Sequence, residues 1–233
     1  MNFIKDNWSS EDIKELDNYL DSIKREDKIE WTRNIVNTKM DLYGITNPTL
    51  KSIAKNIYKG NYISYLDNYA LYNYDLCMIY AYILNLIKDI EIKKKYLLEF
   101  SKKVDNWSCT DSLKFKIKNY EKDYLELSNE YIKSNLPFRR RIGVIILFAY
   151  KRELNYYEYL FKLLDLLSNE EDYYVNMAIA WLLCELCVFD INTVVKYVKN
   201  SKLNNFIKSK FISKCHDSFR IDNEVLDNLY KTI

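Results

Sequence analysis

Residues 75–104 read DLCMIYAYILNLIKDIEIKKKYLLEFSKKV, and this stretch decides the fold. Its apolar residues first run almost unbroken and then recur at the spacing of one helix face. The break between the two halves, IKDIE at 87–91, contains Asp89, a residue type suited to cap a helix. The stretch therefore predicts a buried helix, a short polar turn and a second, amphipathic helix.

The same arrangement occurs in residues 140–168 and 172–200, with breaks at KRELN (151–155) and VFDIN (188–192). These units recur about every 35–40 residues, close to the period of HEAT-type helical pairs. One pair cannot bury its own apolar stripe, but stacked neighbours can, and stacking gives a curved array with a concave face. We therefore predict an all-α fold, a right-handed α-solenoid of HEAT-like helical repeats.

The composition agrees with this fold. The 233 residues are 48% hydrophobic but include only 3 Gly and 2 Pro, which favours long helices over turn-rich β folds. No segment is rich in Gly, Ser or Pro, so we expect a single domain over residues 1–233. Residues 1–28 are predicted to form an N-terminal capping helix region that starts near Ser9 or Ser10.

The sequence also predicts a cytoplasmic protein. It has no run of 18 apolar residues that would span a membrane, and its first residues lack the apolar core of a signal peptide. Five cysteines in such a chain are typical of reduced thiols. The formal net charge of +2 neither requires nor excludes a polyanionic partner, so only local clusters of charge are informative.

Metal and nucleotide sites are weakly indicated. Cys184 and Cys187 form a C-x-x-C pair that, with Cys215 and His216, would supply four possible zinc ligands. The pairs fall in helical segments and zinc pairs usually lie in turns, so we predict no metal. Three glycines cannot form a glycine-rich phosphate loop, and a single histidine argues against most catalytic triads.

The first candidate site segment is VDNWSCTDS at 104–112. Positions four apart share a helix face, so Trp107 and Asp111 can point into the same space. One interpretation is a buried Trp with an exposed Asp at the start of a helix, where the dipole favours it. The other is a cleft in which both side chains meet a ligand.

The second segment is LPFRRRIGV at 136–144, in which Arg139, Arg140 and Arg141 follow Pro137 and open a helix. Unpaired N–H groups at a helix start already attract anions, and guanidinium groups there suit a phosphate clamp. A solvated charge run is the alternative.

The third segment is DYYVNMAIAWLLCEL at 172–186, with Trp181 in a strongly apolar helix. Tyr174 lies on the same face, and the small Ala178 leaves room for the indole. Arg140 follows Trp107 by 33 residues and Trp181 follows Arg140 by 41, both near the repeat period. In a solenoid such residues tend to share one face, where cations hold phosphates and aromatics pack on sugar or base.

Four segments together resemble the DNA alkylation repair family, whose AlkD-type members are DNA glycosylases built of HEAT-like repeats. They are YGITNPTLKSIAK (43–55), VDNWSCTDS, FRRRIGVI (138–145) and DYYVNMAIAWLLCE (172–185). The resemblance covers roughly residues 31–218. It implies excision of positively charged methylated purines from double-stranded DNA, without a metal or organic cofactor, by a protein that we expect to be a monomer.

The resemblance implies site residues by match. Trp107, Asp111 and Trp181 are expected to line the catalytic face, and Arg140 or Arg141 to contact the DNA backbone. The chain departs from the family pattern at Phe138, where Trp is usual, at Cys184, where a basic residue is frequent, and at Ile35, near an expected Tyr. A non-catalytic HEAT-like scaffold that binds nucleic acid or protein therefore remains the alternative.

Overall fold

The computed structural model describes residues 2–68 and 71–232. Regular structure in these residues is helical apart from an isolated parallel bridge between Asp41 and Asn73. The prediction of an all-α fold is therefore confirmed. The chain separates into two compact units, Met1–Lys114 (unit 1) and Phe115–Ile233 (unit 2). That the two act as a single domain stays a prediction.

Unit 1 begins as the sequence predicts, because Ser9 is the N-cap of the first helix and forms a capping box with Asp12. The helices of unit 1 are α1 (Ser10–Ser22), α2 (Glu26–Val36), α3 (Asn47–Lys59), α4 (Tyr62–Asp67), α5 (Tyr74–Leu84), α6 (Ile90–Lys103) and α7 (Trp107–Asp111). All residues of α5 are buried, as its apolar run predicts, and α5 packs on α3, α6 and α7. Asp89 caps α6 by accepting the backbone N–H of Ile92 at 2.9 Å.

The loop before α3 is held by a buried carboxylate. Asp75, in the first turn of α5, accepts the backbone N–H groups of Tyr43 at 2.6 Å and Ile45 at 3.0 Å. Burial raises the pKa of Asp75, although these hydrogen bonds act in the opposite direction. Between them Gly44 has φ of 71°, a left-handed conformation that favours glycine.

Unit 2 continues the helical pattern. Its helices are α8 (Glu121–Ile132), α9 (Pro137–Leu147), α10 (Tyr157–Asp165), α11 (Tyr173–Asn200), α12 (Asn205–His216) and α13 (Asn223–Thr232), with short 3-10 helices at Phe148–Tyr150 and Leu154–Tyr156. Helix α9 packs on α8 and α11, and α11 packs on α12. Helices that are adjacent or next but one in the chain therefore pack together, as in helical repeats.

The predicted break inside α11 is a bend at Asp190. Its backbone leaves helical geometry, with φ of −153° and ψ of 84°. Its Oδ1 accepts the backbone N–H of Thr193 at 3.0 Å, so the residue caps the helical segment that follows. The other predicted break in unit 2, at 151–155, begins directly after the first 3-10 helix and contains the start of the second. Within the ranges 2–68 and 71–232, every helix is too short or too polar to cross a membrane.

We expect Gly143→Ala to destabilise the protein, although alanine is the better helix former by about 1 kcal/mol. A Cβ at position 143 of α9 would lie 2.9 Å from Cγ1 of Ile132 and 3.2 Å from the carbonyl oxygen of Ser128, both on α8. Overpacking costs about 1–3 kcal/mol, so we expect a net loss. Thermal unfolding measures it, and a higher Tm for the variant would contradict the close approach of α8 and α9.

Candidate functional site

The segment VDNWSCTDS forms α7 and the turns on either side of it. Asn106 is fully buried and caps the helix, because its Oδ1 accepts the backbone N–H of Cys109 at 2.9 Å. At the other end, Ser112 Oγ donates to the carbonyl oxygen of Ser108 at 2.9 Å. Much of the polarity of this segment therefore serves to start and end a helix of 5 residues.

Asp105 ties α7 to the loop that follows α2. Its Oδ1 accepts the hydroxyl of Thr38 at 2.7 Å, and its Oδ2 accepts the backbone N–H of Lys39 at 2.8 Å. The amide nitrogen of Asn106 donates to Oδ1 at 3.0 Å. Hydrogen bonds to an ionised group are among the stronger ones, so they fix the position of α7 against the end of α2.

Trp107 is partly exposed at the start of α7. Its indole Nε1 donates to the backbone carbonyl of Ile35 at 3.2 Å. The carbonyl of Trp107 accepts the hydroxyl of Thr110 at 2.9 Å. The indole is thus oriented by a hydrogen bond from α7 to α2, while part of its surface remains open to solvent.

Asp111 is the last residue of α7, not the first. The helix dipole favours a carboxylate at the start of a helix and disfavours one at its end, so the dipole does not explain this residue. Asp111 is partly exposed, and its Oδ1 lies 3.2 Å from the hydroxyl oxygen of Thr110. Trp107 and Asp111 therefore occupy one turn of a partly open helix, as their spacing predicts.

A further indole, Trp31, belongs to the same unit and was not singled out by the sequence. It lies on α2, four residues before Ile35, and 62% of it is exposed. The Nζ of Lys28 lies 5.7 Å from its ring centroid. The available signal was a Trp and an Ile four residues apart in a helix that is mostly polar.

In unit 2 the structure places Trp181 on α11, partly exposed, with the ring of Phe148 at 4.4 Å and an interplanar angle of 56°. Ala178, one turn earlier, is buried. The ring of Tyr174, two turns before Trp181, lies 5.5 Å from that of Phe138. The structure thus gives each predicted aromatic residue of unit 2 a phenylalanine neighbour, of which the sequence did not single out Phe148.

Arg140 is held inside unit 2 by a carboxylate. Its Nε and Nη2 donate to Glu170 at 2.6 and 2.8 Å, and its Nη1 donates to the carbonyl of Ser134 at 3.0 Å. Burial alone would raise the pKa of Glu170, but the hydrogen bonds from Arg140 and from the backbone of Asp172 outweigh it and lower that pKa. Glu170 therefore stays ionised, and Arg140 has its guanidinium directed at protein acceptors.

The other two arginines of the run are also packed within unit 2. Arg141 is buried and donates from Nη1 to the carbonyl of Tyr174. The guanidinium carbon of Arg139 lies 4.9 Å from the ring centroid of Tyr131. The Nε and Nη2 atoms of Arg139 are buried without a hydrogen-bond acceptor in the part of the chain that the structure describes.

An open pocket of about 450 Å³ adjoins Arg140. Three carboxylates line it, and Lys133 and Arg140 are its cations; the carboxylates are Glu170, Glu171 and Asp172. This acidic lining opposes a phosphate at Arg140.

The five cysteines are free and buried. Cys184 Sγ donates to the carbonyl of Lys214 at 3.4 Å, and the neighbouring thiol of Cys215 together with burial raises the pKa of Cys184. His216 Nε2 lies 3.0 Å from Oδ1 of Asp227. Among the described residues, no group of three or more His, Cys, Asp and Glu is placed to hold a metal ion.

The packing of adjacent and next-but-one helices within each unit defines a protein of the helical-repeat class, and α7 gives it a partly open face with an indole and a carboxylate. The model of the DNA alkylation repair enzyme family matches residues 16–210. The chain belongs to this family, which confirms the resemblance carried by the four segments and makes the protein a DNA repair enzyme.

One solved structure, described as a predicted DNA alkylation repair enzyme from Enterococcus faecalis, is similar with a TM-score of 0.67. The two sequences are 12% identical, and the match covers 84% of this chain and 98% of the other. At this identity the likeness shows the fold alone, and it confirms the α-solenoid-like architecture. No curated protein matches the chain.

Proposed function

We propose that the protein is a cytoplasmic, monomeric DNA glycosylase that excises positively charged methylated purines from double-stranded DNA. The observation that carries this proposal is α7, a short helix held by Asn106 and Asp105 that presents Trp107 and Asp111 together on a partly open turn. Membership of the DNA alkylation repair family supports it. The five free thiols agree with a reducing compartment.

The chemistry needs a carboxylate and an aromatic surface. A purine methylated on a ring nitrogen is cationic and leaves with the electron pair of the glycosidic bond, so no general acid is required. The sugar becomes an oxocarbenium-like cation, which the carboxylate of Asp111 stabilises while it orients the attacking water. Water adds to the anomeric carbon and loses a proton, leaving an abasic site.

The two tryptophans pack on the lesion nucleotide in this proposal. An indole face attracts cations, so Trp107 and Trp181 favour both the charged purine and the charged sugar. The partial exposure of each ring supports this role, because a fully buried indole has no free surface to offer. Phe148 supports the indole of Trp181 from one side.

We further propose that Arg139, Arg140, Arg141 and Tyr174 contribute to DNA binding. Arg139 is partly exposed, but its Nε and Nη2 are buried without an acceptor among the described residues, so DNA would reach these two atoms only after a local rearrangement. Arg140 and Arg141 hold Glu170 and the carbonyl of Tyr174, so their contribution is to position this region unless DNA displaces those partners.

The test of the function is base release from a duplex that contains one cationic methylated purine, measured beside a control without protein because such purines also depart spontaneously. We expect release well above the spontaneous rate. A folded protein that binds the duplex without releasing base would instead support the non-catalytic scaffold. The ion pair between Arg140 and Glu170 is compatible with that alternative, because it stabilises the fold without contacting DNA.

A further inference from the structure

A cluster of three charged residues lies one helical turn from Trp181. Glu185 follows Trp181 by four residues on α11, so the two share a face. The Nζ of Lys151 donates to its Oε2 at 2.7 Å. Arg220, in the turn between α12 and α13, donates to both oxygens, from Nη1 to Oε2 at 3.3 Å and from Nη2 to Oε1. We call Lys151, Glu185 and Arg220 the Glu185 cluster.

The cluster carries an excess positive charge. Burial alone would raise the pKa of Glu185, but the hydrogen bonds from Arg220 and Lys151 outweigh it and lower that pKa. Glu185 is therefore ionised at neutral pH and neutralises one of its two partners. Within residues 2–68 and 71–232, Glu185 is the carboxylate with which each of these two cations forms an ion pair.

The side chains of Lys151 and Arg220 are accessible to solvent, whereas the carboxylate of Glu185 is largely buried. The side chain of Glu185 is 10% exposed, whereas that of Arg220 is 50% exposed and that of Lys151 is 34% exposed. A guanidinium has five N–H donors and an ammonium has three, and Glu185 uses only part of them. The remaining donors are directed by a buried carboxylate and available to an outside acceptor.

We infer that the Glu185 cluster is a binding site for a phosphodiester of DNA, with Lys151 and Arg220 as ligands and Glu185 as the residue that positions them. This inference rests on the proposed function. The position of the cluster supports the inference: Trp181, whose indole suits a nucleotide, and Glu185, which orients the two cations for an adjoining phosphate, stand one turn apart on α11. Glu185 restricts both long side chains before DNA arrives, which lowers the entropy lost on binding.

The cations of the cluster come from two other segments of unit 2. Lys151 and Arg220 come from segments 34 and 35 residues away from Glu185 in sequence and bring cations to the same stretch of α11.

The experiment measures the affinity for an undamaged DNA duplex as a function of salt concentration, for the full-length wild type and for Lys151→Gln, Arg220→Gln and the double variant. The double variant should make the slope of log K against log salt less steep by about 0.9 for each phosphate that the protein no longer neutralises. Each single variant should weaken binding at low salt.

Two controls separate a phosphate site from a structural ion network. Arg152→Gln removes one positive charge from the residue beside Lys151. The guanidinium of Arg152 lies 5.6 Å from the ring centroid of Phe189 and outside the Glu185 cluster, so this variant should leave the slope unchanged. Glu185→Gln breaks the same ion pairs but keeps both cations, so its slope should stay at least as steep as that of the wild type.

An unchanged slope in the double variant would overturn the inference. So would an equal loss of slope in Glu185→Gln, because the effect would then come from the fold and not from the cations. The assay of base release is independent of this test. Release by the wild type with an unchanged salt slope removes the phosphate site alone, whereas a reduced slope without any base release keeps the site and removes the glycosylase.

Discussion

Asp111→Asn should lower the rate of base release from duplex DNA by about 100-fold or more while the protein remains folded and still binds DNA. Removing one group that stabilises charge in a transition state typically costs about 10²–10³ in rate, and asparagine keeps the shape of the side chain but not its charge. The measurement is single-turnover release of a cationic methylated purine, corrected for spontaneous loss.

The matched control for this change is Asp21→Asn. Asp21 lies near the end of α1, is 57% exposed and pairs with Lys24 on the surface, so the same substitution there should leave the rate of release unchanged. Thermal unfolding should give nearly equal Tm values for both variants, because Asp111 is also partly exposed. If Asp111→Asn kept the wild-type rate, or lost stability in step with activity, the catalytic role of Asp111 would be refuted.

Arg140→Ala should destabilise the protein by about 3 kcal/mol, which is the second large effect that we expect. The side chains of Arg140 and Glu170 are only 18% and 4% exposed, and removing one partner of a buried ion pair leaves the other charge uncompensated. The loss is smaller than that of a fully isolated carboxylate, because Glu170 also accepts the backbone N–H of Asp172 at 2.8 Å. Urea unfolding at neutral pH measures the difference.

The pH dependence of stability gives a second readout for this pair. The pKa of Glu170 is lowered in the folded protein, so the ion pair stabilises the fold above the ordinary carboxyl pKa of 4.5 and loses this effect as the pH falls through the lowered value. The difference in unfolding free energy between wild type and Arg140→Ala should therefore shrink on acidification. Equal stability of the two proteins at neutral pH would exclude a structural role for Arg140 and strengthen the phosphate clamp.

Much of the fold follows from information that is local in the sequence. The apolar run of α5 and the apolar face of α6 are patterns among residues within a few helical turns of one another. The capping residues Ser9, Asp89 and Asp190 likewise act on backbone groups three residues away. Helical periodicity and capping act over three to four residues, so a single sequence reveals them. The face shared by Trp107 and Asp111 is predicted for the same reason.

The partners of the site residues follow from no local rule. The sequence indicated Trp107 but not the carbonyl of Ile35, 72 residues earlier, that orients its indole. The sequence predicted a phosphate clamp at the arginines, which stays a prediction, but no spacing predicts that Arg140 donates to Glu170, 30 residues later. The interpretation of Asp111 as a residue at a helix start depended on a boundary, and the structure ends α7 at that residue.

By itself, therefore, the sequence determined that this chain is a helical-repeat protein of the DNA alkylation repair family and that Trp107, Asp111 and Trp181 are its candidate site residues. Only the tertiary structure decided which polar groups hold one another: Asp105 with Thr38 across 67 residues, and Glu185 with Lys151 and Arg220 across 34 and 35. The physical reason is the separation in sequence over which each interaction acts. Helix formation depends on neighbours in the chain, whereas a charge is paired by whichever groups the packing of helices brings within about 3 Å of it.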